Sequence, residues 1–223
     1  MSERTIRVTG KGSVRVRPDT TRLTFDLEGT YPDYGEAMER SAERTEALKA
    51  ALQPLGFAPD ALKTLRFGVD AQYESRHEDG EYRQHFVGYH FHHTLKLEFP
   101  ADGARLGQIL CALAGSGADA QFAISYTVKD PDAVKNELLA KAVADARTKA
   151  ELLAAAAGCA LGELLTVDYS WGEVSFESRP MNGLFDTGLP LAKASAPALG
   201  RAMDVTPDDI ETTDTVTVVW RLN

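Results

Sequence analysis

Apolar and polar positions alternate from the start of the chain. Ile6, Val8, Gly10, Gly12, Val14 and Val16 interleave with Arg7, Thr9, Lys11, Ser13, Arg15 and Arg17, the period of a half-buried strand. Pro18-Asp19 signals a turn. Leu23, Phe25 and Leu27 then alternate with Arg22, Thr24, Asp26 and Glu28 in a second strand. A two-residue turn pairs the two strands and sets Gly12 opposite Phe25, Gly10 opposite Leu27 and Lys11 opposite Asp26. Large side chains then cover bare glycines, a known sheet device.

The period changes at Asp33-Tyr34-Gly35-Glu36, which has the form of a capping box. Ala37, Met38, Ala42, Thr45, Leu48 and Leu52 mark the buried face of the helix that follows, and Pro54 and Gly56 end it. Leu65, Phe67, Val69, Ala71 and Tyr73 predict a third strand. The connection over residues 75–84 contains Asp79-Gly80, a strong short hairpin signal. A fourth strand runs from His85 to Phe99, with Val87, Tyr89, Phe91, Leu95, Leu97 and Phe99 on one face. Asp102 caps a shorter helix through Leu106, Ile109, Leu110 and Leu113, and Phe122, Ile124, Tyr126 and Val128 alternate as a fifth strand.

The longest periodic stretch is a helix over 131–157. Asp130 accepts the free N–H groups of its first turn, and Pro131 sits where a missing N–H does no harm. Glu137, Lys141, Asp145 and Lys149 form a solvated stripe of alternating sign. Leu139, Val143, Ala146, Ala150, Leu153 and Ala157 predict the buried face, and its small residues allow close approach to a sheet. Gly158 is the expected stop. A sixth strand is expected at about 164–176 and a last one over Ile210–Leu222. Hairpins dominate the order, so the expectation is α+β: a largely antiparallel sheet with helices packed on one face. The whole chain, 1–223, reads as a single domain. Residues 177–204 form a Pro/Gly/Ala-rich insertion too long for an ordinary connection. Its Met181, Leu184, Phe185, Leu189 and Leu191, with Tyr169, Trp171 and Phe176 before it, suggest a contact between subunits.

These residues carry a resemblance. Ile6-x-Val8-x-Gly10-x-Gly12 followed by Val14, Val16 and Pro18-Asp19 resembles the start of the SIMPL domain family, the domain of unknown function 541. Gly88-Tyr89, Gly115 to Gly117, Asp130, the helical Ala142, Ala146 and Ala150, Ala157-Gly158, Leu161-Gly162 and Pro207 follow in the same order. The ordered set spans Thr5 to Leu222. The resemblance implies an α+β fold and, in some members, ring-like or channel-like homo-oligomers. It implies links to oxidative stress in some bacterial members and to kinase signalling in an animal one. Bacterial outer-membrane and periplasmic antigens of similar size belong to the family. It implies no established catalytic residues.

A net charge of −9 and a pI near 5.1 speak against nucleic acid and against anionic membranes as partners. No apolar run is long enough for membrane insertion as a spanning helix. The polar start, Met1 to Arg7, lacks the apolar core of an export signal. The sequence as written therefore reads as cytoplasmic, or as periplasmic or cell-envelope if a leader has been removed. Cys111 and Cys159 read as buried free thiols.

Candidate chemistry is sparse. All five histidines fall between His77 and His93. His90 and His92 share one face of an alternating strand, a spacing that suits two imidazole ligands of a metal. A third ligand is expected from His77, Glu78, Asp79, His85 or His93, although regular alternation puts His85 and His93 on the other face. The row Arg7, Lys11, Arg15 and Arg17 reads as a wet face balanced by Asp26 and Glu28. Gly10-x-Gly12 lies inside a strand and is not a nucleotide loop. No nucleophile elbow is present, and no cofactor is implied. The expectation is a non-enzymatic homo-oligomeric scaffold or interaction module. The alternatives are a metal protein built on His90 and His92, and a small-ligand binder that uses 177–204 as a lid.

Overall fold

The computed structural model describes residues 4–78, 81–169, 176–178 and 207–223. In chain order the elements are β1 (Thr5–Val16), β2 (Thr20–Tyr31), α1 (Tyr34–Leu52), β3 (Lys63–Glu78), β4 (Glu81–Pro100), α2 (Gly103–Ala114), β5 (Gln121–Thr127), α3 (Pro131–Ala156), β6 (Leu161–Asp168), β7 (Glu177–Ser178) and β8 (Ile210–Leu222). A 3-10 turn, Gln53–Leu55, follows α1. The fold is α+β with antiparallel strand pairing. The described chain divides into two compact units, one drawn from 1–19, 127–178 and 208–223, the other from 20–126. Of the expected insertion over 177–204, only residues 177 and 178 are among the described ones, and Trp171 also lies outside them.

In the first unit the sheet order is β1-β8-β6. β1 pairs with β8 along its whole length, from Thr5↔Arg221 to Val16↔Ile210. The hairpin expected between β1 and β2 does not form, so Gly10 and Gly12 face neither Leu27 nor Phe25. The glycines are covered by α3. A Cβ at Gly10 would collide with the Ala142 carbonyl and with Ala146, and one at Gly12 with the Leu138 carbonyl. That approach selects the buried face of α3: Leu138, Ala142, Ala146, Ala150 and Ala154. The expected face, Leu139, Val143, Ala146, Ala150, Leu153 and Ala157, shares only Ala146 and Ala150 with it. Val143 is 42 % and Leu153 50 % exposed, because the close approach to Gly10 selects the face that carries Ala142 and Ala146. Val8, Val216, Val218 and Trp220 complete this core.

The polar stripe of α3 is as expected, with Lys141–Glu137 at 2.8 Å and Lys149–Asp145 at 2.7 Å. Asp145 also accepts the Lys11 backbone N–H at 2.7 Å. Asp130 caps the helix through the Ala133 N–H at 2.9 Å. The basic row of β1 is balanced by other carboxylates than Asp26 and Glu28. Arg7 meets Asp168, and Arg15 meets Asp209 and Glu211, because β8 is the neighbour of β1 and β6 lies beyond β8 in the same sheet.

In the second unit the strand order is β3-β4-β2-β5, and α1 and α2 cover one face. The covered face contributes Leu23, Phe25, Leu27, Phe91, Leu95 and Leu97, packed against Leu48, Leu52, Leu106, Ile109 and Leu110. Asp102 caps α2 as expected, accepting from Ala104 N at 2.9 Å and Arg105 N at 3.2 Å. At α1 the helix starts where predicted, but the Asp33 side chain makes no capping bond.

Candidate interaction surface: the β3–β4 arm

Strand β4 is longer than its neighbour on one side. β2 accompanies it from Pro100 to Tyr89, where Tyr31↔Tyr89 is the last pair. β3 continues beside it to Glu78↔Glu81. Past Tyr89, therefore, β3 and β4 form a two-stranded arm. The two residues that join them, Asp79-Gly80, lie outside the described ones.

The arm sorts its side chains by face. Opposed pairs on one face are Tyr73↔Phe86, Ser75↔Gln84 and His77↔Tyr82. On the other they are Glu74↔His85 and Arg76↔Arg83. One face is thus aromatic with short neutral polar groups, and the other is charged. The rings form a ladder: His77–Tyr82 at 5.0 Å, Tyr73–Phe86 at 5.6 Å, Phe86–Tyr89 at 5.3 Å and Tyr89–Tyr34 at 5.6 Å between centroids, all edge to face. A two-stranded ribbon is marginal by itself, and each such ring pair adds about 0.5–1.5 kcal/mol beyond area burial. The ladder therefore supports the arm, yet most of it faces solvent. Tyr82 is 78 % and Tyr73 57 % exposed.

A bulge builds this surface. Gln72 faces Gly88 while Tyr73 faces Phe86, so Val87 is the extra residue. The extra residue brings Phe86 and Tyr89 to one face. It also returns His85 to the face of His90 and His92, where regular alternation places it opposite. Gly88 is required here because a Cβ would collide with the Tyr31 carbonyl.

At the other end of β3 an open groove of about 480 Å3 lies between α1 and the strand. Met38, Ala42 and Lys49 line it from α1, Thr64 and Phe67 from β3, and His93 from β4. The sequence pattern puts Met38 and Ala42 in the core. The buried stripe runs instead through Ala37, Ser41, Thr45, Leu48 and Leu52, which leaves those two on the groove wall.

His93 closes the groove floor. Its Nδ1 lies 3.3 Å from Ser41 Oγ and 3.2 Å from Thr45 Oγ1, and its Nε2 lies 2.9 Å from Thr64 Oγ1. Thr45 donates its hydroxyl hydrogen to the Ser41 carbonyl at 2.8 Å, so toward His93 it accepts. A neutral ring with Nδ1–H fits that set, and Thr64 donates to Nε2. Burial, and then the Lys49 charge, hold the His93 pKa below the usual histidine value. Ser41 is only 2 % exposed, and the far ring nitrogen meets a hydroxyl where a catalytic dyad places a carboxylate. The arrangement is that of a satisfied histidine.

His90 and His92 do share the uncovered sheet face. They turn to different partners. His90 Nδ1 is 3.1 Å from Thr30 Oγ1, and Thr30 donates to Gln72 Oε1 at 2.8 Å. His92 Nδ1 is 3.7 Å from Asp70 Oδ2, and its ring lies over Gly68, where a Cβ would meet the ring within 2.6 Å of Nε2. Among the described residues no group of three or more His, Cys, Asp or Glu is placed to hold a metal. Cys111 and Cys159 are in no disulfide, and each is partly buried. No described helix is long and apolar enough to cross a membrane.

Residues 6–220 match the SIMPL family, a protein family of unknown function also designated DUF541. The chain belongs to this family. It is also similar to the 26 kDa periplasmic immunogenic protein of Brucella melitensis, at 27 % identity over 191 residues, covering 84 % of this chain and 74 % of the relative. The protein of the same description from Brucella abortus strain S19 matches to the same extent. This SIMPL protein carries the β1 glycines and the α3 alanines of the ordered set at the contact just described, Gly10 and Gly12 against Ala142 and Ala146.

Proposed function

We propose that this SIMPL protein is a non-enzymatic interaction module of the bacterial cell envelope that associates with copies of itself through the β3–β4 arm. The observation that carries the reading is the arm itself, a two-stranded ribbon that presents Tyr73, Phe86, His77 and Tyr82 on one face and charge on the other. Exposed aromatic rings on a preformed, rigid element give large contact area at low entropic cost, and aromatic side chains are the commonest anchors of protein interfaces. The envelope placement is supported by the Brucella relatives, which are described as periplasmic.

Native mass spectrometry on untagged protein tests this, with sedimentation velocity across a concentration series. A discrete oligomer is expected, and the double variant Tyr73→Ser, Phe86→Ser shifts it to monomer. A wild-type chain that stays monomeric at high micromolar concentration removes the reading. A monomer that carries a stoichiometric metal points instead to His90 and His92.

A further inference from the structure

We infer that two copies of the chain join edge to edge through β3, antiparallel, with Ser75 facing Ser75 of the second copy. The inference rests on the self-association reading above and names its contact. Among the described strands, the neighbour of β3 is β4 alone, so β3 is an edge of its sheet. Every residue from Asp70 to His77 is exposed. An edge strand offers a row of unpaired N–H and C=O groups to another strand. Pairing there extends a sheet through main-chain hydrogen bonds.

The bulge distinguishes the two edges of the arm. β4 carries the extra residue, Val87, which interrupts a ladder on its side. β3 runs from Arg66 to Glu78 without an extra residue, a proline or a lysine, the usual guards of an edge.

Charge selects the partner and the register. Charged side chains on an edge ordinarily keep a second strand away, but those of the arm are ordered to match their own copy. In a two-fold antiparallel pair centred on Ser75, Glu74 faces Arg76 of the second copy and Arg76 faces its Glu74. Those pairs fall on the charged face. On the aromatic face Tyr73 meets His77 of the second copy and His77 meets its Tyr73. Opposite charges and ring pairs set directly opposite stabilise an antiparallel ladder. A centre at Glu74 or at Arg76 sets like charges against each other. Among centres within the arm, only Ser75 gives both residues an opposite charge.

The pairing keeps the bonds each arm already has. Arg76 Nε and Nη2 donate to Glu74 Oε2 of the same strand at 3.1 and 3.0 Å. Both bonds end on Oε2, which leaves Oε1 for Arg76 of the second copy. The four charges then alternate in sign around the two-fold axis. Arg83 stands opposite Arg76 across the arm, and the second carboxylate offsets that like-charge neighbour. The register spans residues 72–78, which belong to the arm, so the helix-covered parts of the two sheets lie at opposite ends of the joined ribbon. The contact is isologous and closes on two copies.

The experiment reverses the charges in the full chain. Glu74→Arg and Arg76→Glu are made singly and checked for unchanged circular dichroism and unfolding midpoint. Each sets like charges opposite one another in its own dimer and is expected to weaken association by roughly 10-fold or more. An equimolar mixture of the two variants is expected to form a heterodimer with wild-type affinity, because every pair is again opposite in sign. The chain that carries both reversals is expected to associate as the wild type does.

If either single reversal leaves association unchanged, the pairing is wrong. If Tyr73→Ser, Phe86→Ser abolishes assembly in that case, the arm reading still stands. If both single variants are weakened and neither the mixture nor the doubly reversed chain recovers, the pairing is also wrong. A monomeric wild type removes both proposals together.

Discussion

Gly10 lies so close under α3 that a single carbon added to it would overlap the carbonyl of Ala142. Strand and helix meet here backbone to backbone, without an intervening layer of side chains. The alanines at 142, 146, 150 and 154 are the complementary half of that contact.

Gly10→Val should therefore be among the most damaging conservative changes to the first unit. The new side chain meets backbone atoms, which have no rotamer to yield. Overpacking a tight core costs about 1–3 kcal/mol or more. Urea unfolding should show a loss at or above the top of that range. Ser13→Val, at an outward position of the same strand, serves as the control and should change stability little.

Asp145 gives a pH prediction. The Lys149 ammonium and then the Lys11 backbone N–H hold its carboxyl below the usual carboxylate range. The resulting stabilisation is present above the unfolded-state pKa, near 3.9. It is lost as pH falls through the lower folded value. Asp145→Asn should flatten the acid limb of the stability profile, read from thermal midpoints between about pH 2 and 5. An unchanged profile would show that neither Lys149 nor the Lys11 N–H holds the carboxylate in solution.

His93 works in the opposite direction of charge. Its folded pKa is depressed by burial and by Lys49, so the fold favours the neutral ring. The unfolded chain takes up a proton first as pH drops below about 6.5, and stability declines until the lower folded pKa is reached. His93→Asn should remove that slope while retaining hydrogen-bonding groups toward Ser41, Thr45 and Thr64. NMR titration of the ring should give a midpoint below the ordinary histidine value.

The ring ladder should also rigidify the arm. Tyr73→Ser, Phe86→Ser removes two of its ring contacts, and hydrogen exchange of the arm amides should accelerate while β2 amides stay protected. Uniform acceleration across the second unit would mean that the ladder belongs to its core.

Local pattern was a good guide where burial and period agree. The start of α1, the Asp102 and Asp130 caps and the ends of α3 follow from residues that act on their immediate neighbours. Partnership across long sequence distances did not follow. Pro18-Asp19 signals a turn whether or not the flanking strands pair, and nothing local to Gly10 indicates that its partners are Val216 in β8 and Ala146 in α3. Leu139, Val143 and Leu153 carry the helical period of a buried face, but the glycines of β1 select Leu138, Ala142, Ala146, Ala150 and Ala154, and only Ala146 and Ala150 belong to both sets. On α1 the period is right for Ala37, Thr45, Leu48 and Leu52, but Met38 and Ala42, one step around the helix, line the groove. The arm was legible only in part: Asp79-Gly80 indicates a hairpin, but the Val87 bulge that aligns Phe86 with Tyr89 leaves no mark in the alternation.

The β1–β8 pairing joins the first described strand to the last, Thr5 to Arg221, while the described helices and strands of the second unit all fall within 20–126. Contacts of such unequal range form at unequal rates, because closing a long loop is entropically expensive. During synthesis the inner unit can fold while β1 still waits for a partner that has not left the ribosome. Until then β1 is an unpaired strand rich in valine, with its glycines uncovered, and the completion of β8 is the event that ends its exposure.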